Sequence, residues 1–300
     1  MVDYEGILGG YPYIRDKTGR LASVLQLIRP YTLTAPLIAG ILGTLAPTTW
    51  TYDHIVTAIF CGVTLALSQA CGQVINQYAD VELDKIVKPY RPLPKGDLTR
   101  DEALGIAWLL AIISIARGFT INQFFGLTNL SLIFFAVFYS VAPLSPRCVH
   151  CLVNVWWMAF SRGFLPVLAV YSVYGSVWDA VTYGALAFLW VMAMQGTKDI
   201  PDMRGDRAFA IKTIPNQWGI NGLKKWIYVV MIVYLFASLL MGLLIYGIVL
   251  GLFAIIASRT LETKAKITEN TIAWALFYAG IGMHYILMYA PTTLNLSLLL

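Results

Sequence analysis

Apolar stretches of about 20 residues, the length that carries a helix across a hydrocarbon core, recur along the whole chain and exclude most folds. Backbone amides in lipid have no water to bond, so such segments resolve into helices. Only 12% of the 300 residues are charged while 58% are hydrophobic, and a soluble domain carries about twice that charged fraction. The expected fold class is all-α, a polytopic membrane protein. No heptads, low-complexity tracts or soluble domain interrupt the pattern.

Nine transmembrane helices are predicted, at 22–46, 55–78, 103–122, 124–143, 149–171, 177–196, 225–241, 244–258 and 271–290. The seventh and eighth come from one apolar run, Trp226 to Ala257, divided near Gly242. A single tilted helix there would leave eight spans. Basic residues decide between the two. With nine spans, every Lys and Arg except Arg117 and Arg162 falls on one side, whereas eight would send Arg259, Lys264 and Lys266 across. The positive-inside rule then places the N-terminus and the basic loops in the cytoplasm and the C-terminus outside. The first 20 residues lack the apolar core of a cleaved signal, so the first helix doubles as the insertion signal. The chain reads as one integral-membrane domain over 1–300 in the cell membrane. A cytoplasmic segment occupies 1–21, and cytoplasmic loops occupy 79–102 and 197–224.

The net charge of +5 records this orientation rather than a nucleic-acid partner, and no protein partner is indicated. Basic loops also attract anionic lipid headgroups and diphosphates. Cys61 and Cys71 lie in a span as small packing residues. Cys148, His150 and Cys151 have metal-like spacing but fall short of the four ligands of a structural zinc site.

Chemistry collects at two acidic clusters. In VINQYADVELDKIVKPYRPLPKG, residues Asn76, Asp80 and Asp84 stand four apart, and on a helix they line a strip about 80° wide. Clustered carboxylates suit a hard divalent cation that keeps waters and shares phosphate oxygens. A solvated helix end paired with Lys85 and Lys88 is the competing explanation. After the sixth span, QGTKDIPDMRGDRAFAIKTIP places Asp199, Asp202 and Asp206 at i, i+3 and i+7, with Pro201 expected to break any helix between them. Both clusters leave the membrane on the same side. Lys88, Arg91, Lys95, Lys198, Arg204 and Lys212 flank them and can neutralise a bridged diphosphate, although topology alone accounts for any single one of these bases.

Two further residues stand out within the membrane. Arg162 sits near the middle of the fifth span, too deep to snorkel, and such an arginine faces a cavity or a partner; an acceptor pocket is one candidate. Tyr139, near the inner end of the fourth span, lies at the depth of the acids, where its ring can face a carbocation; a belt tyrosine is the alternative. Arg117 lies close to the outer interface and receives no role.

These motifs together resemble the UbiA superfamily of intramembrane prenyltransferases: N-x3-D-x3-D ending a second helix, a K-P-x-R-P-x-P-x-G loop, D-x2-D-x3-D after a sixth helix, and I-K-T-x-P behind it. The likeness runs from Leu27-Ile-Arg-Pro30 through the nine-helix plan. It implies nine helices around a central cavity with cytoplasmic cap loops, and Mg²⁺ holding a polyprenyl diphosphate. By matching position it implies Asn76, Asp80, Asp84, Asp199, Asp202 and Asp206 as metal ligands. Asp80, Asp84, Asp202, Asp206 and Tyr139 would be the catalytic set, and Asn76, Arg91 and Lys198 would contact substrate; charge placement, apart from the resemblance, adds Lys88, Lys212 and Arg162 as substrate contacts. The implied reaction ionises an allylic C–O bond, and a lipophilic acceptor captures the cation: an aromatic or quinone precursor, or a geranylgeranylglyceryl phosphate-type alcohol. KDIPDMRGD is similar to the branch acting on homogentisate, chlorophyllide or geranylgeranylglyceryl phosphate. Ala210 before I-K-T and Ser145-Pro146-Arg147 depart from the family pattern and leave the contact of the helix-four loop open. A terpene cyclase of the same superfamily would need the same ionisation site. A secondary transporter is disfavoured, because its ionisable groups would lie near the midplane.

Overall fold

In the computed structural model, which describes residues 19–141, 145–261 and 267–289, every regular element among the described residues is helical. The expected N-terminal segment up to residue 18, Lys264, Lys266 and the tail beyond 289 lie outside them. Two helices, α1 (Arg20–Ile28) and α2 (Thr34–Leu45), are joined by the turn Pro30–Leu33. Then come α3 (Tyr52–Ala79), α4 (Val81–Val87), the single turn α5 (Pro92–Lys95), α6 (Arg100–Ile121) and α7 (Gln123–Ser140). A π-turn at Phe160–Phe164 joins α8 (Cys151–Ala159) to α9 (Leu165–Tyr171). The rest is α10 (Val177–Met194), α11 (Met203–Ala208), α12 (Ile214–Leu240), α13 (Leu244–Thr260) and α14 (Ile267–Leu287).

Seven helical segments are long and apolar enough to cross a membrane: Arg20–Leu45, Tyr52–Ala79, Arg100–Ile121, Gln123–Ser140, Cys151–Tyr171, Val177–Thr197 and Ile214–Leu240. Leu244–Thr260 and Ile272–Leu287 are shorter apolar helices. The long apolar run does divide where glycine permits it. Gly242 takes φ +70, a left-handed conformation closed to most L-residues, between the end of α12 and the start of α13.

Local capping explains several of the boundaries. Thr99 and Glu102 form a reciprocal capping box that starts α6. The Asn122 side chain accepts from the Phe125 amide at 2.7 Å and turns the chain tightly from α6 into α7.

The surface is apolar and much of the polarity is inside, as lipid requires. Ile232, Phe236 and Leu240 project outward from α12. Inside, Ser68 on α3 meets the Ser114 hydroxyl of α6 at 2.6 Å and donates to the Asn129 carbonyl oxygen of α7 at 2.5 Å, a buried knot between three helices. Hydrogen bonds of this kind and small residues supply helix association where hydrophobicity cannot. The α2–α3 crossing is one such contact: a Cβ on Gly40 would overlap the Gly62 Cα. Buried indoles also bridge helices. Trp190 donates to the Phe277 carbonyl, Trp226 to that of Met192 and Trp157 to that of Phe135.

Candidate active site

The first acidic motif is not one unbroken helix. α3 stops at Ala79, Asp80 takes the turn conformation (φ −97, ψ 16), and α4 begins at Val81. The backbone ladder still passes through the bend: the Asp80 amide donates to the Asn76 carbonyl at 3.0 Å, and the Asp84 amide to that of Asp80 at 2.7 Å. Helical register therefore survives, and Asn76, Asp80 and Asp84 all line one cavity of about 400 Å³. The second motif reaches it by turns. Asp202 donates its amide to the Asp199 carbonyl at 3.2 Å, and α11 then carries Asp206 into the same cavity. Asp199, Asp202, Lys88, Arg91, Lys198 and Tyr139 complete the overlap with the residues expected from sequence.

Most of the acids are held by bases. Arg147 donates to both Asp80 oxygens, at 2.8 and 2.5 Å. Arg91 donates to Asp84 at 2.6 Å in a pair that is 6% and 1% exposed. Lys88 donates to Asp202 at 2.6 Å and so ties the two motifs together directly. Lys198 stands 3.6 Å from Asp199. Among the described residues no base comes within salt-bridge distance of Asp206.

The electrostatics follow from this pairing. Burial, with Asp199 and Asp202 adding like charge, pushes the Asp206 carboxyl up to about 8. Burial works in the same direction on Asp202, but Lys88, with Lys198 and Arg91, outweighs it and holds that carboxyl below the usual range. Lacking a base, Asp206 holds its proton at neutral pH, and a cation beside it would favour the carboxylate. Among the described residues no three acidic, His or Cys side chains by themselves converge into a metal cage.

A second cavity, of about 160 Å³, adjoins the first: Thr32, Ala35, Gln73, Asn76, Tyr139 and Tyr278 line both. Arg162 lines this inner cavity and not the outer one. Tyr139 thus stands where an acid-rich chamber meets a mostly apolar one.

Three of the six expected flanking bases line neither cavity: Lys95, which pairs with Asp97 at 2.9 Å, Arg204, and Lys212, whose Nζ donates to the Val149 carbonyl at 2.9 Å. The segment after α11 crosses to the loop before α8, where the Lys212 amide donates to the Arg147 carbonyl at 2.7 Å. Lys212 therefore braces Arg147. Ala210, the departure before I-K-T, adopts φ +54, a left-handed conformation in which glycine would be unstrained.

Two cations of the cavity escaped the reading of the sequence. Arg147 was visible only as a departure from a pattern, yet it holds the central acid of the first motif. Arg29, in Leu27-Ile-Arg-Pro30, adopts a left-handed backbone (φ 57, ψ 67), lines the outer cavity, and donates to the Tyr31 hydroxyl and, at 3.2 Å, to the Gln73 carbonyl oxygen. The proline after it was the one local signal.

Residues 33–281 match the UbiA prenyltransferase family. The chain is 31% identical over 261 residues to the digeranylgeranylglyceryl phosphate synthase of Thermococcus sibiricus, an alignment covering 86% of each. It is 27% identical over 214 residues to the bacteriochlorophyll synthase 34 kDa chain of Chloroflexus aurantiacus, covering 66% of this chain and 65% of that one. Its fold is similar to that of a UbiA homologue from Archaeoglobus fulgidus bound to GPP and Mg²⁺, with a TM-score of 0.68 at 18% identity over 89% of this chain and 99% of that one.

Proposed function

This chain belongs to the UbiA prenyltransferase family, and from that premise we propose how it transfers a polyprenyl group from an allylic diphosphate to a lipophilic acceptor. The outer cavity receives the diphosphate at the cytoplasmic mouth of a nine-span bundle whose N-terminus is cytoplasmic. Asn76, Asp80, Asp84, Asp199, Asp202 and Asp206 supply the oxygens that would hold Mg²⁺. When bound, Mg²⁺ neutralises charge that develops on the departing diphosphate.

The chain's own cations complete that task. Lys88, Arg91, Lys198 and Arg29 face the cavity and can donate to the outer phosphate oxygens as the C–O bond lengthens. Tyr139, at the junction of the two chambers, presents its ring where the allylic carbon would pass from leaving group to acceptor. The buried, largely apolar setting keeps water from the cation.

The observation that carries this reading is the convergence of five aspartates from two motifs, Asp80 and Asp84 with Asp199, Asp202 and Asp206, on one cavity joined to a second, less charged one. For the acceptor, similarity to a relative named for making digeranylgeranylglyceryl phosphate favours a glyceryl phosphate alcohol over an aromatic ring.

A diphosphate-release assay on the purified protein tests the reading, using geranyl, farnesyl and geranylgeranyl diphosphates with and without Mg²⁺ and candidate acceptors. Mg²⁺-dependent release coupled to an adduct of donor and acceptor mass is expected. Absence of release and of adduct with every donor would overturn it.

A further inference from the structure

Arg162 lies in the middle of a membrane-spanning segment, lines the inner cavity, and takes part in no ion pair, hydrogen bond or ring contact among the described residues. Its surroundings sharpen the anomaly. Asp80, Asp84, Asp199, Asp202 and Asp206 all belong to the lining of the outer cavity, whereas the inner lining holds no carboxylate. Arg117, the other arginine within a span, has its guanidinium 4.2 Å from the Phe60 ring centroid. Arg162 has no such ring partner; the nearest anion to feel its charge is Asp199 of the outer cavity, which it does not contact.

The backbone is built to put it there. Residues Phe160–Phe164 form a π-turn between α8 and α9, and such turns cluster at functional sites. Pro166 lacks the amide that would bond the Arg162 carbonyl in an α-helix, which favours the wider turn. Gly163 lets the turn press against α10, where a Cβ would stand 2.6 Å from the Ala187 carbonyl oxygen. The arginine is thereby fixed on the cavity side, with Ser161, Gln69, Tyr139 and Tyr278 around the same space.

A guanidinium at membrane depth is costly unless an anion reaches it. We propose that Arg162 recognises an anionic group on the acceptor, a phosphate monoester or a carboxylate, and holds the acceptor with its nucleophilic oxygen or carbon towards Tyr139. Arg162 is a specificity-determining residue in this assignment, and the assignment rests on the transferase reading above. The acids that organise the donor diphosphate remain in the outer cavity, so the two anions of the reaction are sorted by depth.

The test compares wild type with R162Q, R162K and R117Q, each purified in detergent. Acceptors are offered in pairs: geranylgeranylglyceryl phosphate against its dephosphorylated alcohol, and 4-hydroxybenzoate against 4-hydroxybenzyl alcohol. Truncating one partner of a buried charged contact corresponds to a loss of about thirtyfold or more. R162Q is therefore expected to raise KM for the anionic member of one pair by about thirtyfold and to erase its preference over the neutral member, while KM for the donor moves less than about twofold. R162K retains part of the preference because it keeps the charge but loses the bidentate fork, and R117Q behaves as wild type. The pair that responds identifies phosphate or carboxylate.

Thermal melts provide a readout that a packing role would not match. The anionic acceptor raises the Tm of wild type but not of R162Q, and apo R162Q melts no lower than wild type. Equal losses on donor and acceptor, an unchanged preference in R162Q, or a lowered apo Tm with no acceptor effect would each overturn the assignment. Failure of wild type to release diphosphate from any donor would instead defeat the transferase reading.

Discussion

Arg147 grips Asp80 through both carboxylate oxygens, at 2.8 and 2.5 Å, across 67 residues of sequence, and both side chains are largely buried. The pair sets the position of the central acid of the first motif from outside that motif. Breaking a buried pair by removing one partner costs about 3–5 kcal/mol, because the other charge is left behind. R147Q is accordingly expected to lower Tm and to cut kcat/KM by at least about a hundredfold. The double variant D80N/R147Q should regain most of the lost Tm while remaining inactive. Melting curves and turnover on all three proteins check this. Recovery of activity in the double variant would contradict a role for Asp80 in the reaction.

Lys88 and Asp202 join the two motifs at 2.6 Å. Both lie at the cavity, so substrate binding should redistribute this contact. K88M is expected to raise KM for the prenyl diphosphate by about tenfold, the scale of one charge-assisted hydrogen bond. KM for the acceptor should stay within about twofold. Steady-state kinetics with each substrate varied in turn would show the split.

Removal of divalent ions should abolish turnover without unfolding the protein, since the helices pack through apolar contacts and buried hydrogen bonds remote from the acids. Treatment with EDTA followed by Mg²⁺ is expected to restore full activity. Helical circular dichroism should be unchanged throughout. Persistent activity after exhaustive chelation would argue against the metal-assisted reading.

The close approach of α2 and α3 at Gly40 and Gly62 makes a separate prediction about stability. A methyl group at Gly40 meets backbone rather than a yielding side chain, and overpacking of this kind costs about 1–3 kcal/mol. G40A should lower Tm in detergent. G251A, where a Cβ meets nothing within 4 Å, should leave Tm unchanged or slightly raised through better helix propensity.

The membrane class, the division of the run from Trp226 to Ala257 at Gly242 and the residues of both acidic motifs were legible in the linear chain. Hydropathy and turn chemistry are local: a window of about 20 residues states whether it can enter lipid, and a spacing of four states which side chains share a helical strip. Arg162 was also legible, because a charge at membrane depth is conspicuous on its own; Tyr139 by itself read as well as a belt tyrosine.

Partnership was decided only by the tertiary structure. Nothing within ten residues of Arg147 says that it holds Asp80, and nothing near Lys212 says that it turns away to the Val149 carbonyl. Arg29 enters the cavity through a left-handed residue that the chain alone does not prescribe. Arg162 is legible as an intramembrane charge, but that no carboxylate among the described residues pairs with it directly is a property of the helices packed around it. The sequence by itself determined which segments enter the membrane and which carry the acids, because burial in lipid acts on each segment separately. Which base meets which acid, and which cation is left over, depends on contacts between helices far apart in the chain, and only their packing decided that.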